Sequence, residues 1–307
     1  MLAEIGQECG QPVATELHLL SDRVRDRFGD SVAAVMFYGS CLRSGDPGEG
    51  LVDLYVLVDG YAAAYDSLLL RTANGCLPPN VFMLQLRTDS GRTLQAKYAV
   101  LSLADFEAGT GRWFQSYVWG RFAQPSRLVY ARDDSVRQRV HAALAQAALT
   151  LLREALPCAP DDFDAETIWR SGLALSYGTE MRPEALDRPA QLVQRNAAYF
   201  SRLTAAAAPA VDGMQMLAGG GYRNALSSTQ RRRGRHRWTL RRLQGRGLQV
   251  ARLMKSVLTF ENGIDYIAWK LERHTGHPVE VTPRLRRHPL IFGWPLLWRL
   301  LRQKRLR

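Results

Sequence analysis

The chain has no apolar run of the roughly 18 residues that a helix needs to cross a bilayer. Its four cysteines, Cys9, Cys41, Cys76 and Cys158, show no C-x-x-C spacing and no paired histidines. That excludes a zinc knuckle and a disulfide framework, and it points to a reducing compartment. Residues 1–11 carry Glu4 and Glu8 and no basic flank ahead of an apolar stretch. They read as neither a secretory signal nor a transit peptide. No internal repeat is visible. Acids are scarce in one region only: residues 223–307 hold 21 Lys/Arg against four acids, a local +17. The whole chain carries +12, so its first 222 residues carry −5. A mildly acidic body therefore holds a basic tail, which either seeks a polyanion or is simply solvated.

Hydrophobic residues make up 46% of the 307, enough for one large core or two modest ones. Residues 13–28 place Val13, Leu17, Leu20, Val24 and Phe28 on one helical face. Residues 32–38 and 51–58 read as buried strands, the second interrupted only by Asp53. Residues 80–87 and 93–103 are two further strands, joined by a turn-forming segment at 88–92. Beyond residue 104 the pattern is helical, at 134–156, 164–177 and 188–206, which suggests an all-helical or winged-helix-like second unit. Residues 207–234, with Gly219-Gly220-Gly221 and Arg231-Arg232-Arg233, read as a mobile linker. Helical periodicity returns at 237–274. The domain expectation is 1–128, 129–210, and a linker with a basic amphipathic tail over 211–307.

The chemistry concentrates at residues 35–59. A strand ends in Tyr38-Gly39-Ser40, a polar loop follows, and Asp53 stands inside the next strand. This is the layout of polymerase-β-type nucleotidyltransferases. Glycine lets backbone approach a triphosphate, whose oxygens backbone N–H groups and the Ser40 hydroxyl can hold. A carboxylate in an apolar strand is costly unless it is paired or bound to metal. Asp53 is thus a ligand for Mg²⁺ on a nucleoside triphosphate, half of a buried ion pair, or a strand-end cap. The D-x-D pattern is missing, because position 55 is tyrosine. A third carboxylate is also missing, because the neighbouring strand offers Lys97. That carboxylate acts as base toward a hydroxyl acceptor. A phosphate monoester, with a second pKa of about 6, needs no base. It needs a cation, and Lys97 is the candidate, unless it is an ordinary edge-strand lysine.

With these residues in place, the sequence resembles the mitochondrial translocator assembly and maintenance family, the mitochondrial-type CDP-diacylglycerol synthases. The resemblance runs through Tyr38-Gly39-Ser40, the Asp53 strand, Ala96-Lys97-Tyr98-Ala99-Val100-Leu101-Ser102 and Tyr117-Val118-Trp119-Gly120-Arg121. It continues through Leu175-Ser176-Tyr177-Gly178-Thr179-Glu180-Met181-Arg182, Leu192-Val193-Gln194-Arg195-Asn196 and residues 249–271, in order. It implies an α/β chain: a polymerase-β-type nucleotidyltransferase domain, a winged-helix-like helical domain and a membrane-contacting C-terminus. It also implies transfer of CMP from CTP to phosphatidic acid with Mg²⁺. Carried over by position, Tyr38, Gly39 and Ser40 hold the triphosphate, Asp53 the metal and Lys97 a phosphate. Arg121, Glu180, Arg182 and Asn196 line the cleft from the second unit, and Asp59 is a weaker second metal ligand. The family's W-H-S and N-P-x-H-Y-S elements have no counterpart at Tyr61-Ala62-Ala63-Ala64-Tyr65-Asp66-Ser67.

The basic tail then gains a partner. Trp294 and Trp298 beside Phe292 and Leu296 have interfacial character, and the surrounding arginines favour an anionic leaflet. Residues 223–307 are therefore the expected membrane contact, at the cytoplasmic face of a bacterial inner membrane. Two other readings stand beside this one. One is a nucleotidyltransferase acting on a soluble hydroxyl acceptor; the other is a non-catalytic nucleic-acid-binding protein using the arginines of 231–246.

Overall fold

The computed structural model describes residues 1–39, 41–44, 50–89, 91–180 and 187–259. Helices α1 (Leu2–Cys9) and α2 (Thr15–Phe28) precede strand β1 (Val32–Tyr38). After the short helix α3 (Cys41–Ser44) come β2 (Leu51–Val58), α4 (Tyr61–Ala64), α5 (Leu68–Cys76), β3 (Asn80–Arg87) and β4 (Thr93–Ser102). Helices α6 (Leu103–Gly111) and α7 (Trp119–Phe122) lead to β5 (Arg127–Ala131). The second half comprises α8 (Asp134–Ala155), β6 (Asp162–Phe163), α9 (Ala165–Tyr177), α10 (Arg188–Arg195) and α11 (Ala197–Ala207). Strands β7 (Met214–Met216) and β8 (Tyr222–Asn224) and the long helix α12 (Ser228–Thr259) complete it.

Five strands form one mixed sheet in the order β3-β4-β2-β1-β5. Strand β2 runs antiparallel to β1 and parallel to β4. The central strands are apolar on both faces because both faces are covered. On one face, Val35, Phe37, Leu54, Val56, Tyr98 and Val100 pack with Leu17, Leu20, Val24 and Phe28 of α2. On the other, Ala34, Met36, Tyr55, Leu57, Ala99 and Leu101 join a cluster that runs on through α8, α9 and α11. Full burial of each Val or Leu contributes about 1.5–3 kcal/mol, so the second cluster welds the sheet to the helices. Side chains cap helix starts: Ser67 accepts from the Leu70 N–H, Ser102 from Asp105, Asp133 from Val136 and Asp164 from Thr167.

The four strands expected from the sequence are present, within a residue at each end. Three expectations need correction. The boundary at 128/129 falls inside β5, an edge strand of the sheet. The region 188–206 is two helices, meeting at Asn196. Residues 207–234 are no mobile linker: β7 and β8 pair with β6 in a three-stranded sheet, and α12 has begun by Ser228. The second unit is therefore helical with a small sheet. The C-terminal stretch 289–301 and the last part of the 237–274 periodicity lie outside the described residues.

Helix α12 is basic yet anchored. Its Trp238 and Arg241 are 2% and 1% exposed. Trp238 donates to the Glu154 carbonyl at 2.7 Å, and Arg241 donates to the Phe114 carbonyl at 2.6 Å and pairs with the Glu154 carboxylate at 3.0 Å.

Candidate active site

Register brings the predicted residues together. Tyr38 of β1 lies opposite Asp53 of β2, and Asp53 lies opposite Lys97 of β4, so the three form a row across the sheet. The row sits at the sheet end where β1 runs out into the Gly39 turn. Lys97 Nζ approaches Asp53 Oδ1 at 2.8 Å, an ion pair without the geometry of a hydrogen bond. Their side chains keep 32% and 19% exposure. Gly39 has φ +97°, and a Cβ there would stand 2.6 Å from Asp53 Oδ2. Only glycine lets the turn lie directly on that carboxylate.

One pleat further along β2, Tyr55 is fully buried, and its hydroxyl accepts from Arg121 Nη1 at 3.0 Å. Arg121 Nη2 pairs with Glu180 at 3.2 Å, and its guanidinium lies 4.3 Å from the Tyr117 ring centre. Gly120 brings α7 close enough to α9 for this pairing, since a methyl there would collide with Ser176 Oγ. Burial pushes the Tyr55 phenol well up. Burial also pushes Tyr117 up, but the charges of Arg121 and Arg252 outweigh it and hold that phenol below its ordinary value.

Beside the row lies a cleft of about 230 Å³. Tyr38, Gly39, Arg121 and Asn196, all named as candidates from the sequence, line it together with Glu8, Gln124, Arg127 and Arg195. Glu8 is engaged by Arg127 at 2.6 Å, and Gln124 accepts from the Tyr177 hydroxyl at 2.7 Å. Three guanidiniums against one paired carboxylate make a wall suited to a polyphosphate. Glu8, Gln124, Arg127 and Arg195 escaped the sequence reading. Gln124 stands three residues after Arg121 and Arg195 one before Asn196, so proximity to expected residues was the available signal. Glu8 comes from a helix whose sequence carries no chemical motif.

Other expected residues fall elsewhere. Glu180 backs Arg121 and borders a second, smaller pocket with Tyr117, Gln249 and Arg252. Asp59 lies just past the far end of β2, bound through both oxygens to Arg132 at 2.6 and 3.0 Å, and does not join the site. Ser40 and Arg182 lie outside the described residues.

Among the described residues no group of three or more His, Cys, Asp or Glu side chains could hold a metal. Among the described residues of the row, Asp53 is the one carboxylate. Mg²⁺ commonly takes one or two protein carboxylates and completes its shell with water and substrate phosphates. The Asp53 carboxylate, whose Oδ1 carries the Lys97 ion pair and whose Oδ2 faces the Gly39 turn, suits a cation that arrives with a triphosphate and displaces that lysine.

No curated protein matches the chain. The family model described as "Phosphatidate cytidylyltransferase, mitochondrial" matches residues 81–240, just over half of the 307. That span contains Lys97, Arg121, Glu180 and Asn196. The Tyr38–Asp53 half of the row precedes it and rests on register and contact alone. With the collinear motifs and this match together, the chain belongs to the mitochondrial-type phosphatidate cytidylyltransferase family.

Proposed function

We propose that this chain transfers CMP from Mg²⁺-bound CTP to phosphatidate, giving CDP-diacylglycerol and pyrophosphate, and that it does so at an anionic membrane surface. The observation that carries the reading is the row Tyr38–Asp53–Lys97 lying against the Gly39 turn. A phosphate oxygen of phosphatidate forms a bond to the α-phosphorus of CTP. The bond from that phosphorus to the α–β bridging oxygen breaks, and pyrophosphate leaves with the electron pair. Above about pH 6 the attacking oxygen is already ionised, so no base is required. The two reactants repel each other, and the role for Lys97 is to offset that repulsion. A hydroxyl acceptor would call for a second carboxylate beside Asp53, and Lys97 occupies that position instead.

Magnesium, held by Asp53 and the triphosphate, would neutralise charge on the departing pyrophosphate. Gly39 and Tyr38 form the floor against which the triphosphate lies. Arg121, Arg127 and Arg195 offer charge-assisted donors along the cleft. Membrane contact is supported by α12, whose outer face exposes Leu240, Leu243, Val250 and Met254 among its arginines. No described helix is long and apolar enough to cross a membrane.

The acceptor separates this reading from its rivals. Purified protein, Mg²⁺ and labelled CTP are mixed in detergent micelles containing either phosphatidate or diacylglycerol. The expected outcome is lipid-soluble label with phosphatidate only. Label with diacylglycerol and none with phosphatidate contradicts the proposal.

A further inference from the structure

Arg252 lies on α12, beyond the residues that the family model matches, and yet borders the smaller pocket behind Arg121, against the Tyr117 ring. Its guanidinium sits 4.0 Å from the centre of the Tyr117 ring, and Arg121 approaches the same ring at 4.3 Å. Two cations therefore share one aromatic ring, an arrangement favoured by its π-electron density. Their mutual repulsion is relieved by Glu180, which pairs with Arg121 at 3.2 Å. Arg252 is itself fixed to the nucleotidyltransferase side: Nε donates to the Pro78 carbonyl at 3.1 Å and Nη2 to Gln115 Oε1 at 2.6 Å. One turn on, Lys255 donates to the carbonyls of Leu77 and Pro79 at 2.5 and 2.7 Å, docking this part of α12 on the same loop.

The consequence concerns Arg121. Its guanidinium lines the cleft, and a planar group with five N–H donors is useful there only if its plane is set. Tyr55 and Glu180 hold two of its nitrogens, and the Tyr117 ring sets its tilt. Tyr117 lies in the irregular stretch before α7, and its ring is held from the other element by Arg252. We infer that Arg252 is a positioning residue of the nucleotide site: it fixes the Tyr117 ring, and through that ring the guanidinium of Arg121. Helix α12 is then part of the catalytic apparatus as well as an outer surface. This inference rests on the reading of the cleft as the CTP site.

The test measures initial rates with CTP varied at saturating phosphatidate, for the full-length wild type, Arg252→Ala, Arg121→Lys and the double variant. The expected result for Arg252→Ala is a KM for CTP raised about 10-fold with kcat within about 3-fold, since groups in one network couple strongly. Added to Arg121→Lys, the same change costs less than about 2-fold, because the group it orients is already altered. Arg252→Gln, which keeps a donor for the Pro78 carbonyl but removes the cation over the ring, carries the same expectation should the alanine variant fold poorly. Arg23→Ala, an exposed arginine of α2, leaves KM unchanged. A general structural role would move stability and kcat, and its increments would be additive. An unchanged KM, or equal increments in both backgrounds, overturns the inference alone. A wild type that transfers no CMP overturns the functional reading and this inference with it.

Discussion

At Gly39 the backbone turns with φ +97° and lies so close to Asp53 that a methyl group would stand 2.6 Å from Oδ2. Two penalties coincide there, a left-handed backbone and a collision with the one carboxylate assigned to the metal. Gly39→Ala is therefore expected to lower kcat/KM for CTP at least about 100-fold by displacing Asp53. The thermal midpoint is expected to change by only a few degrees, because the turn lies past the end of β1 rather than in the core. Loss of activity that merely tracks loss of folded protein would contradict this. Much of this row was legible in the sequence. Glycine-serine followed by an acid in an apolar strand has few cheap explanations, and Lys97 stood out for lacking the expected charge sign. What could not be read was that Asp53 and Lys97 form an ion pair at 2.8 Å. The metal and ion-pair readings of Asp53 thus meet in one geometry, with Lys97 holding the carboxylate in the unliganded chain and a phosphate expected to compete for that lysine.

Among the elements, legibility followed burial. Strands β1, β2 and β4 are largely covered on both faces, and their apolar runs, broken by Asp53 in β2 and by Gln95 and Lys97 in β4, announced them. Strand β5 has only half-buried residues and an arginine at its start, so its pattern was silent. Gly219-Gly220-Gly221 misled for a physical reason. Gly220 and Gly221 adopt φ +88° and +83° to turn β7 into β8, and Leu217 N–H donates to the Gly221 carbonyl across that turn. Triple glycine signals a tight reversal as readily as a flexible linker. The arginine run beginning at Arg231 likewise sits in α12, where Arg231 pairs with Asp161 at 2.7 Å. The anchor of this helix is Arg241, buried among Trp238, Trp119 and Phe114 at 4.4–5.2 Å and paired with Glu154. Its removal would strip Glu154 of one of two arginine partners, leaving Arg237 at 2.8 Å, take the donor from the Phe114 carbonyl and leave a cavity behind. Arg241→Ala is expected to destabilise the fold by ~3 kcal/mol in urea denaturation. Leu243→Ala, at an exposed position of the same helix, is expected to stay within ~0.5 kcal/mol. Equal effects would mean that α12 is not anchored through this residue.

For the molecule as a whole, charge and geometry divide the labour. The body carries −5 and the region from residue 223 onward +17. A body of that sign is pushed away from an anionic leaflet while the basic region is drawn to it, so the chain is expected to dock in one orientation. Apolar residues at 240, 243, 250 and 254 share one stripe of α12, and the opposite face carries Arg252 onto the Tyr117 ring. In flotation assays the protein is expected to rise with vesicles containing anionic lipid. Binding should weaken steeply between low and high salt, and Leu243→Glu should reduce it several-fold. Salt-insensitive binding to neutral vesicles, or no effect of Leu243→Glu, would remove α12 from the contact. The bound lipid would meet a site built from both halves of the chain: a row on the sheet and a cleft closed by α1, α7 and α10.

The most direct measurement follows CDP-diacylglycerol formation by the wild type and by Asp53→Asn, with CTP binding titrated in the presence and absence of Mg²⁺. The asparagine variant keeps the size and most of the packing of the side chain while losing its charge. The wild type is expected to turn over and to bind CTP more tightly with Mg²⁺, and Asp53→Asn is expected to lose at least about 100-fold in turnover along with the Mg²⁺-dependent part of binding. A variant that keeps full turnover and the full Mg²⁺ enhancement would show that this carboxylate does not hold the metal.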